Sequence, residues 1–232
     1  MERKTLGIIG GMGPAATVDM LDKLVRLTDA ASDREHIRVY VDVNTTIADR
    51  TASIKGTGPS CLPAICESAK KLADMGADYL ILSCNTAHYY LDEIRAAVDK
   101  PILSIVDAVT EYAVACGIDT VALLATEGTM LGRVYTDTLE RAGIRVVLPT
   151  AEEQAVAMKA IYDVKEIGAE RTDTAALDGV VQHFAAQGAK TVILACTEFP
   201  LIVDKMTDDV TYLDATEILV RKAIVTAGYT TK

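Results

Sequence analysis

At 232 residues, half of them hydrophobic, the chain can bury one large core or two small ones and is too apolar to stay disordered. A formal charge of −10 argues against nucleic acid or an anionic membrane surface as its main partner. Five cysteines, an odd count in a chain large enough to do without disulfides, fit a reducing compartment, and the cytoplasm is the expected location.

The first apolar stretch spans about five residues before glycines interrupt it. A secretory signal would need roughly 7–15, and no run approaches the roughly 20 apolar residues of a spanning helix. That stretch reads as a strand at 5–9, followed by a helix at 15–30, a strand at 37–43, a helix at 60–75 and a strand at 79–83. A helix at 93–98 and a strand at 102–105 complete a first series. The second series runs strand 120–125, helix 130–142, strand 145–148, helix 174–187, strands 191–195 and 211–213, and a last helix at 215–227. Strands almost continuous in Ile, Leu and Val, alternating with helices, are those of parallel sheets covered on both faces. The fold class is therefore α/β, with two pseudo-symmetric halves, each a four-stranded parallel sheet flanked by helices. The expected division is 1–104 plus 211–232 for the first half and 105–210 for the second, with the last helix packing back on the first half.

The two series carry a repeat in register. Gly76-Ala77 opens an apolar run that ends in Ser83-Cys84-Asn85-Thr86, and Gly188-Ala189 opens one that ends in Ala195-Cys196-Thr197-Glu198. The glycines and the cysteines share one offset, 188 − 76 = 196 − 84 = 112. Ligands of open α/β sheets bind beyond the carboxyl ends of the strands, so two facing halves bring Cys84 and Cys196 to one cleft. A helix starting after each cysteine would favour the thiolate and lower its pKa from about 8.5. Opposed thiols across one carbon can remove a proton from one face and return one to the other. Cys61, Cys66 and Cys116 lack such surroundings and read as inert core cysteines.

Gly10-Gly11-Met12-Gly13-Pro14-Ala15-Ala16 contains G-x-G-x-x-A. Dinucleotide binding is disfavoured, because no acidic residue stands at the end of the next strand and Pro14 removes one amide of the turn. A tight turn whose amides line a small-anion site, or turn geometry alone, accounts for the glycines. Asn85, Thr86 and Thr197 can cap helices or hold the α-carboxylate and amino group of a ligand. His88, one helical turn after Cys84, reads as a packing or capping residue rather than a base. Glu198 can bind an ammonium group or simply favour a helix N-terminus. In the polar loop 44–51, Arg50 can clamp a carboxylate or pair with Asp49. Lys165 reads as a solvated helix lysine. The loop 55–63, rich in Gly, Pro and Ser, is a candidate lid.

The motifs Gly10 to Thr17, Asn44 to Thr51, Cys84-Asn85-Thr86-Ala87-His88 and Cys196-Thr197-Glu198-Phe199-Pro200 resemble those of the cofactor-independent aspartate/glutamate racemase family, on its aspartate racemase branch. The resemblance covers essentially the whole chain. It implies an isomerase that needs no cofactor and works by two-base 1,1-proton transfer at Cα, with Cys84 and Cys196 as the bases. It also implies that Met12, Asn85, Thr86 and Thr197 line the α-carboxylate and amino group, and that Arg50 and Lys165 hold the distal carboxylate of aspartate. The spacing from Lys165 to Gly168 departs from the branch pattern. A homodimer acting on a small amino acid, with no nucleic-acid or membrane partner, is implied too. Alternatives are a broad-specificity or glutamate-accepting racemase, a single-base dicarboxylate isomerase or decarboxylase, and a non-catalytic amino-acid-binding protein.

Overall fold

The computed structural model describes residues 3–232. In chain order the elements are β1 (Leu6–Gly10), α1 (Pro14–Leu27), β2 (Val39–Val43), α2 (Arg50–Lys55), α3 (Leu62–Asp74), β3 (Tyr79–Leu82), α4 (Leu91–Ala96) and α5 (Ile105–Ala115). There follow β4 (Thr120–Ala125), α6 (Glu127–Leu131), α7 (Thr136–Arg141), β5 (Arg145–Val147), α8 (Ala151–Ile167), α9 (Ala175–Ala186), β6 (Thr191–Ala195), β7 (Thr211–Asp214) and α10 (Ala215–Thr226). Two parallel sheets result, ordered β2-β1-β3 and β5-β4-β6-β7.

The α/β class and the two sheets agree with the sequence, but the first sheet has three strands rather than four. The expected strand at 102–105 is reduced to one parallel bridge, Leu80 to Ile102. Pro101 precedes it, and two residues later the Ser104 side chain accepts from the Asp107 amide at 3.0 Å and starts α5. The chain has no length left for a ladder. Where the second sheet repeats the pattern, β7 runs for four residues before Asp214 caps α10.

β7 pairs with β6, so residues 211–214 belong to the second sheet and the expected return to the first half at 211 comes too early. The return is made by α10, which packs on α1 and α5. Buried Lys23 of α1 pairs with Asp19 and, at 3.1 Å, with Asp214, tying α1 to the start of α10. One apolar cluster runs through both halves, from Leu6, Ile8 and Ile81 through Val109 and Ala223 to Leu123 and Ile193. A shared core of this kind fixes the sheets relative to each other, because side chains packed at interior density do not slide freely. No helix among the described residues is long and apolar enough to cross a membrane.

The helix expected over 130–142 is two helices, α6 and α7, separated at 132–135, where Arg133 has φ 49°. α8 begins with a capping box: the Thr150 hydroxyl accepts from the Glu153 amide, and the Glu153 carboxylate accepts from the Thr150 amide. That arrangement satisfies two orphan amides at once.

Candidate active site

Cys84 follows β3, the last strand of the first sheet, and Cys196 follows β6, inside the second, so the repeat delivers both thiols beyond the carboxyl ends of their strands. Both are buried, at 5% and 4% exposure. Together with Met12, Arg50, Asn85, Thr86, Lys165, Thr197 and Glu198 they line one cavity between the halves, to which Asp49, Thr51 and Thr126 also contribute. All nine residues given a catalytic or substrate-binding expectation are therefore in the same place, Lys165 included. Its position in the last turn of α8 aims it into the cleft rather than at solvent.

The turns after the cysteines differ from expectation. Residues Thr86–Tyr90 and Phe199–Leu201 form short 3₁₀ segments, not α-helices. Such pieces carry little of the aligned dipole that would favour a thiolate. Cys196 accordingly lies well above its usual pKa: burial raises it first, the Glu198 carboxylate raises it further, and Lys165 only partly opposes them. In this state Cys196 is a thiol, and its Sγ–H donates to Glu198 Oε2 at 2.9 Å. The Thr197 hydroxyl donates to the same oxygen at 3.4 Å, and Lys165 Nζ stands 3.6 Å from Oε1. Burial works against the Lys165 charge, but Glu198 and then Cys196 outweigh it and raise its pKa.

On the other side, Arg50 opens α2, whose cap is Asp49: the Asp49 carboxylate accepts from the Ala52 amide at 2.7 Å. Asp49 is thus occupied with the helix end, and Arg50 forms no ion pair among the described residues. Its guanidinium donates to the Met12 carbonyl at 2.7 Å and the Ala48 carbonyl at 3.1 Å, while Nε is buried without a partner. Burial opposes its charge too, but Cys84 and then the Asp49 and Glu198 carboxylates outweigh it and raise its pKa.

The glycine turn serves this arrangement structurally. Gly11 has φ 87°, and a Cβ there would meet the Asn44 backbone at 2.5 Å. Its amide donates to Thr17 Oγ1 at 3.0 Å, and that hydroxyl donates to the Gly13 carbonyl at 3.0 Å. The Gly11 amide is therefore spent inside the turn, and the turn's contribution to the cleft is Met12 with its carbonyl on Arg50.

His88 holds the Cys84 backbone. Its Nε2 accepts from the Ile105 amide at 3.1 Å, which leaves the proton on Nδ1 to donate to the Cys84 carbonyl at 2.9 Å. Burial pushes its pKa down to about 4. It is a neutral linker between the Cys84 turn and α5, in keeping with a packing role. The hydroxyls of Thr86, Thr126 and Thr129 meet at 2.8–3.0 Å and join the Cys84 turn to the second half. The spacing Thr126-x-x-Thr129 after a strand is a legible helix start; its partnership with Thr86 is not.

Asn85 sits in the same wall. Its Oδ1 accepts from the Tyr135 hydroxyl at 2.5 Å, while its Nδ2 is buried without a partner. The other cysteines take no part: Cys61 is buried, Cys66 is half-buried, and Cys116 is exposed rather than in the core. Residues 56–61 contribute nothing to the cavity wall. The expected lid is instead pinned by Lys55 to Glu127 at 2.9 Å and by the Cys61 amide to Ser53 Oγ at 3.1 Å.

The inner cavity is small, about 10 Å³, or room for a single water. An outer groove of about 460 Å³, walled by Pro14, Ile47 and Tyr162, adjoins it and shares Asp49, Arg50, Lys165 and Glu198. These four charged residues stand between the groove and the thiols.

Residues 9–223 match the family model described as Asp/Glu/Hydantoin racemase. The chain is 29% identical over 227 residues to a broad specificity amino-acid racemase of Bacillus subtilis (strain 168), covering 95% of this chain and 97% of that one. Its backbone resembles that of the Picrophilus torridus aspartate racemase with a TM-score of 0.90 at 31% identity, covering 99% and 96% of the two chains. An aspartate racemase homologue from Pyrococcus horikoshii OT3 aligns with a TM-score of 0.77 at 27% identity, covering 97% and 99%.

Proposed function

Because the chain belongs to the Asp/Glu/Hydantoin racemase family and is an amino-acid racemase of it, we propose that its substrate is aspartate and that Cys84 and Cys196 are the two acid/base groups. The observation that carries this reading is the pair of buried thiols in the wall of one cavity, accompanied by two buried donors without partners, Arg50 Nε and Asn85 Nδ2. An anionic ligand would complete both.

In the state described here Cys196 is the acid, so Cys84 is the base. Cys84 takes the proton from Cα on one face; the C–H electron pair passes to the carboxylate-conjugated carbanion. Cys196 then gives its Sγ proton to Cα on the opposite face. The product is the other enantiomer, with Cys84 as thiol and Cys196 as thiolate, and proton exchange with solvent resets the pair. Following the family pattern, this protonation state serves the D-enantiomer and its mirror serves the L-enantiomer.

General acid/base groups supply typically 10²–10⁴-fold. The larger share must come from fixed donors aimed at the α-carboxylate, where charge builds. Asn85 Nδ2, Thr86 and Thr197 are suited to that end, and Arg50 with Lys165 to the distal carboxylate. The small inner cavity supports a reaction shielded from water, with the Arg50 and Lys165 side chains displaced as substrate enters from the groove. Cytoplasmic residence and a homodimer belong to the same reading.

The test is Cα exchange in deuterium oxide with each enantiomer of aspartate, glutamate and a panel of other amino acids. Aspartate should exchange and racemise without added cofactor, and Cys84→Ser and Cys196→Ser should each abolish full turnover. Normal racemisation by either single variant would refute the two-thiol assignment. A preference for uncharged amino acids would refute the aspartate assignment.

A further inference from the structure

The break between α6 and α7 has a consequence for the site. Residues 132–135 turn with Arg133 in the left-handed region at φ 49°, a conformation that a non-glycine residue keeps only where its surroundings hold it. Arg133 is anchored to Asp137 at 2.5 Å and Glu140 at 2.9 Å. Immediately beyond it, Tyr135 is fully buried, and its hydroxyl reaches Asn85 Oδ1 across the junction between the halves. Burial holds the phenol well above its usual pKa, so it remains a neutral O–H donor.

A carboxamide is nearly symmetric in shape, so its orientation is set by hydrogen bonds rather than by packing. At Asn85, a residue of the cavity wall next to Cys84, the Tyr135 hydroxyl is the partner that sets it: Oδ1 takes that proton, and Nδ2 is left buried without a partner. Rotating the amide would place Oδ1 in the wall, where an anionic substrate would meet a lone pair.

We infer that Tyr135 is a positioning residue for the reaction, fixing the Asn85 amide so that its N–H donates to the substrate α-carboxylate. This rests on the racemase reading above. Negative charge on that carboxylate grows as Cα loses its proton, so the donor matters more in the transition state than on binding.

The experiment is a double-mutant cycle on racemisation of aspartate. Tyr135→Phe should lower kcat by about ten-fold or more, with KM moved much less. In an Asn85→Ala background the same change should alter kcat by less than about two-fold. A Tyr135→Phe variant with wild-type kcat, or one equally harmful with and without Asn85, would overturn the inference. Asn85→Asp gives a second arm should Tyr135→Phe not fold, because it keeps an oxygen for Tyr135 but loses the donor; full activity there would overturn the inference as well. Failure of the wild-type protein to exchange any amino acid would instead remove the racemase reading itself.

Discussion

Gly128→Ala isolates how closely the two halves must meet at the site. Gly128 is the second residue of α6, and a Cβ built there would lie 2.8 Å from Thr51 Oγ1, 3.0 Å from Thr51 Cα and 3.0 Å from Thr86 Cγ2. Carbon contacts are comfortable at about 3.5–4.0 Å, so α6 would have to withdraw by roughly 0.5–1 Å. Two effects oppose each other. Alanine in a helix gains about 1 kcal/mol over glycine, whereas overpacking a well-filled site costs about 1–3 kcal/mol. One of the three contacts is to backbone and the others are to short β-branched side chains, so nothing flexible can absorb the clash. Crowding should win by about 1 kcal/mol, lowering Tm by about 2–4 °C for a domain of this length. The effect on rate should be larger. Thr51 and Thr86 both line the cavity, and a displacement of about 1 Å in a site that positions reacting groups can cost about 10²-fold. Polarimetric or circular-dichroism assay of aspartate racemisation, beside a thermal melt, reads both. An unchanged Tm, or a kcat within about two-fold of wild type, would refute the claim that this contact sets the spacing of the halves.

Glu198→Gln removes a charge that raises Cys196, so the thiol pair should lose its shared proton at lower pH. The alkaline limb of the kcat/KM profile should shift downward in pH; an unmoved or raised limb would count against the contact. His88 has the opposite kind of linkage, through folding. Its folded pKa of about 4 lies below the usual 6.5, so between those values the unfolded chain binds more protons and stability falls as pH drops. The full effect, at and below about pH 4, is about 3 kcal/mol by the cost of 1.36 kcal/mol per pKa unit. Urea melts at pH 7 and pH 4 should show a correspondingly smaller acid loss in His88→Asn than in wild type; equal slopes would mean that His88 does not carry it.

The legible part of this site was the part held by local sequence. A strand of four or five apolar residues ending in a cysteine declares its own direction, and two such units in register place their ends alike. The last helix was legible from its start at Ala215, which the Asp214 side chain caps, whereas α8, capped just as locally by Thr150 with Glu153, was not among the expected elements. What failed were inferences that needed a neighbour. Residues 102–105 have strand composition, but Ser104 begins a helix first. Residues 130–142 have an unbroken helical pattern, yet the chain turns at Arg133. Lys165 looked solvated because nothing nearby in sequence says that α8 ends at the cleft. At Cys196 no helix dipole lowers the thiol pKa, because a three-residue 3₁₀ turn follows it and burial with Glu198 raises it instead.

By itself, then, the sequence determined which residues end the strands and hence which thiols can be opposed, because strand length and side-chain type are local properties. The tertiary structure decided the protonation of Cys196 and the neighbours of both thiols. Burial and the carboxylate of Glu198 keep Cys196 protonated, Arg50 shares the cavity wall with Cys84, and Tyr135 reaches Asn85 from the other half. Those are effects of distance through space, and residues 50 positions apart in the chain, such as Asn85 and Tyr135, acquire a 2.5 Å contact only when the two sheets share one core.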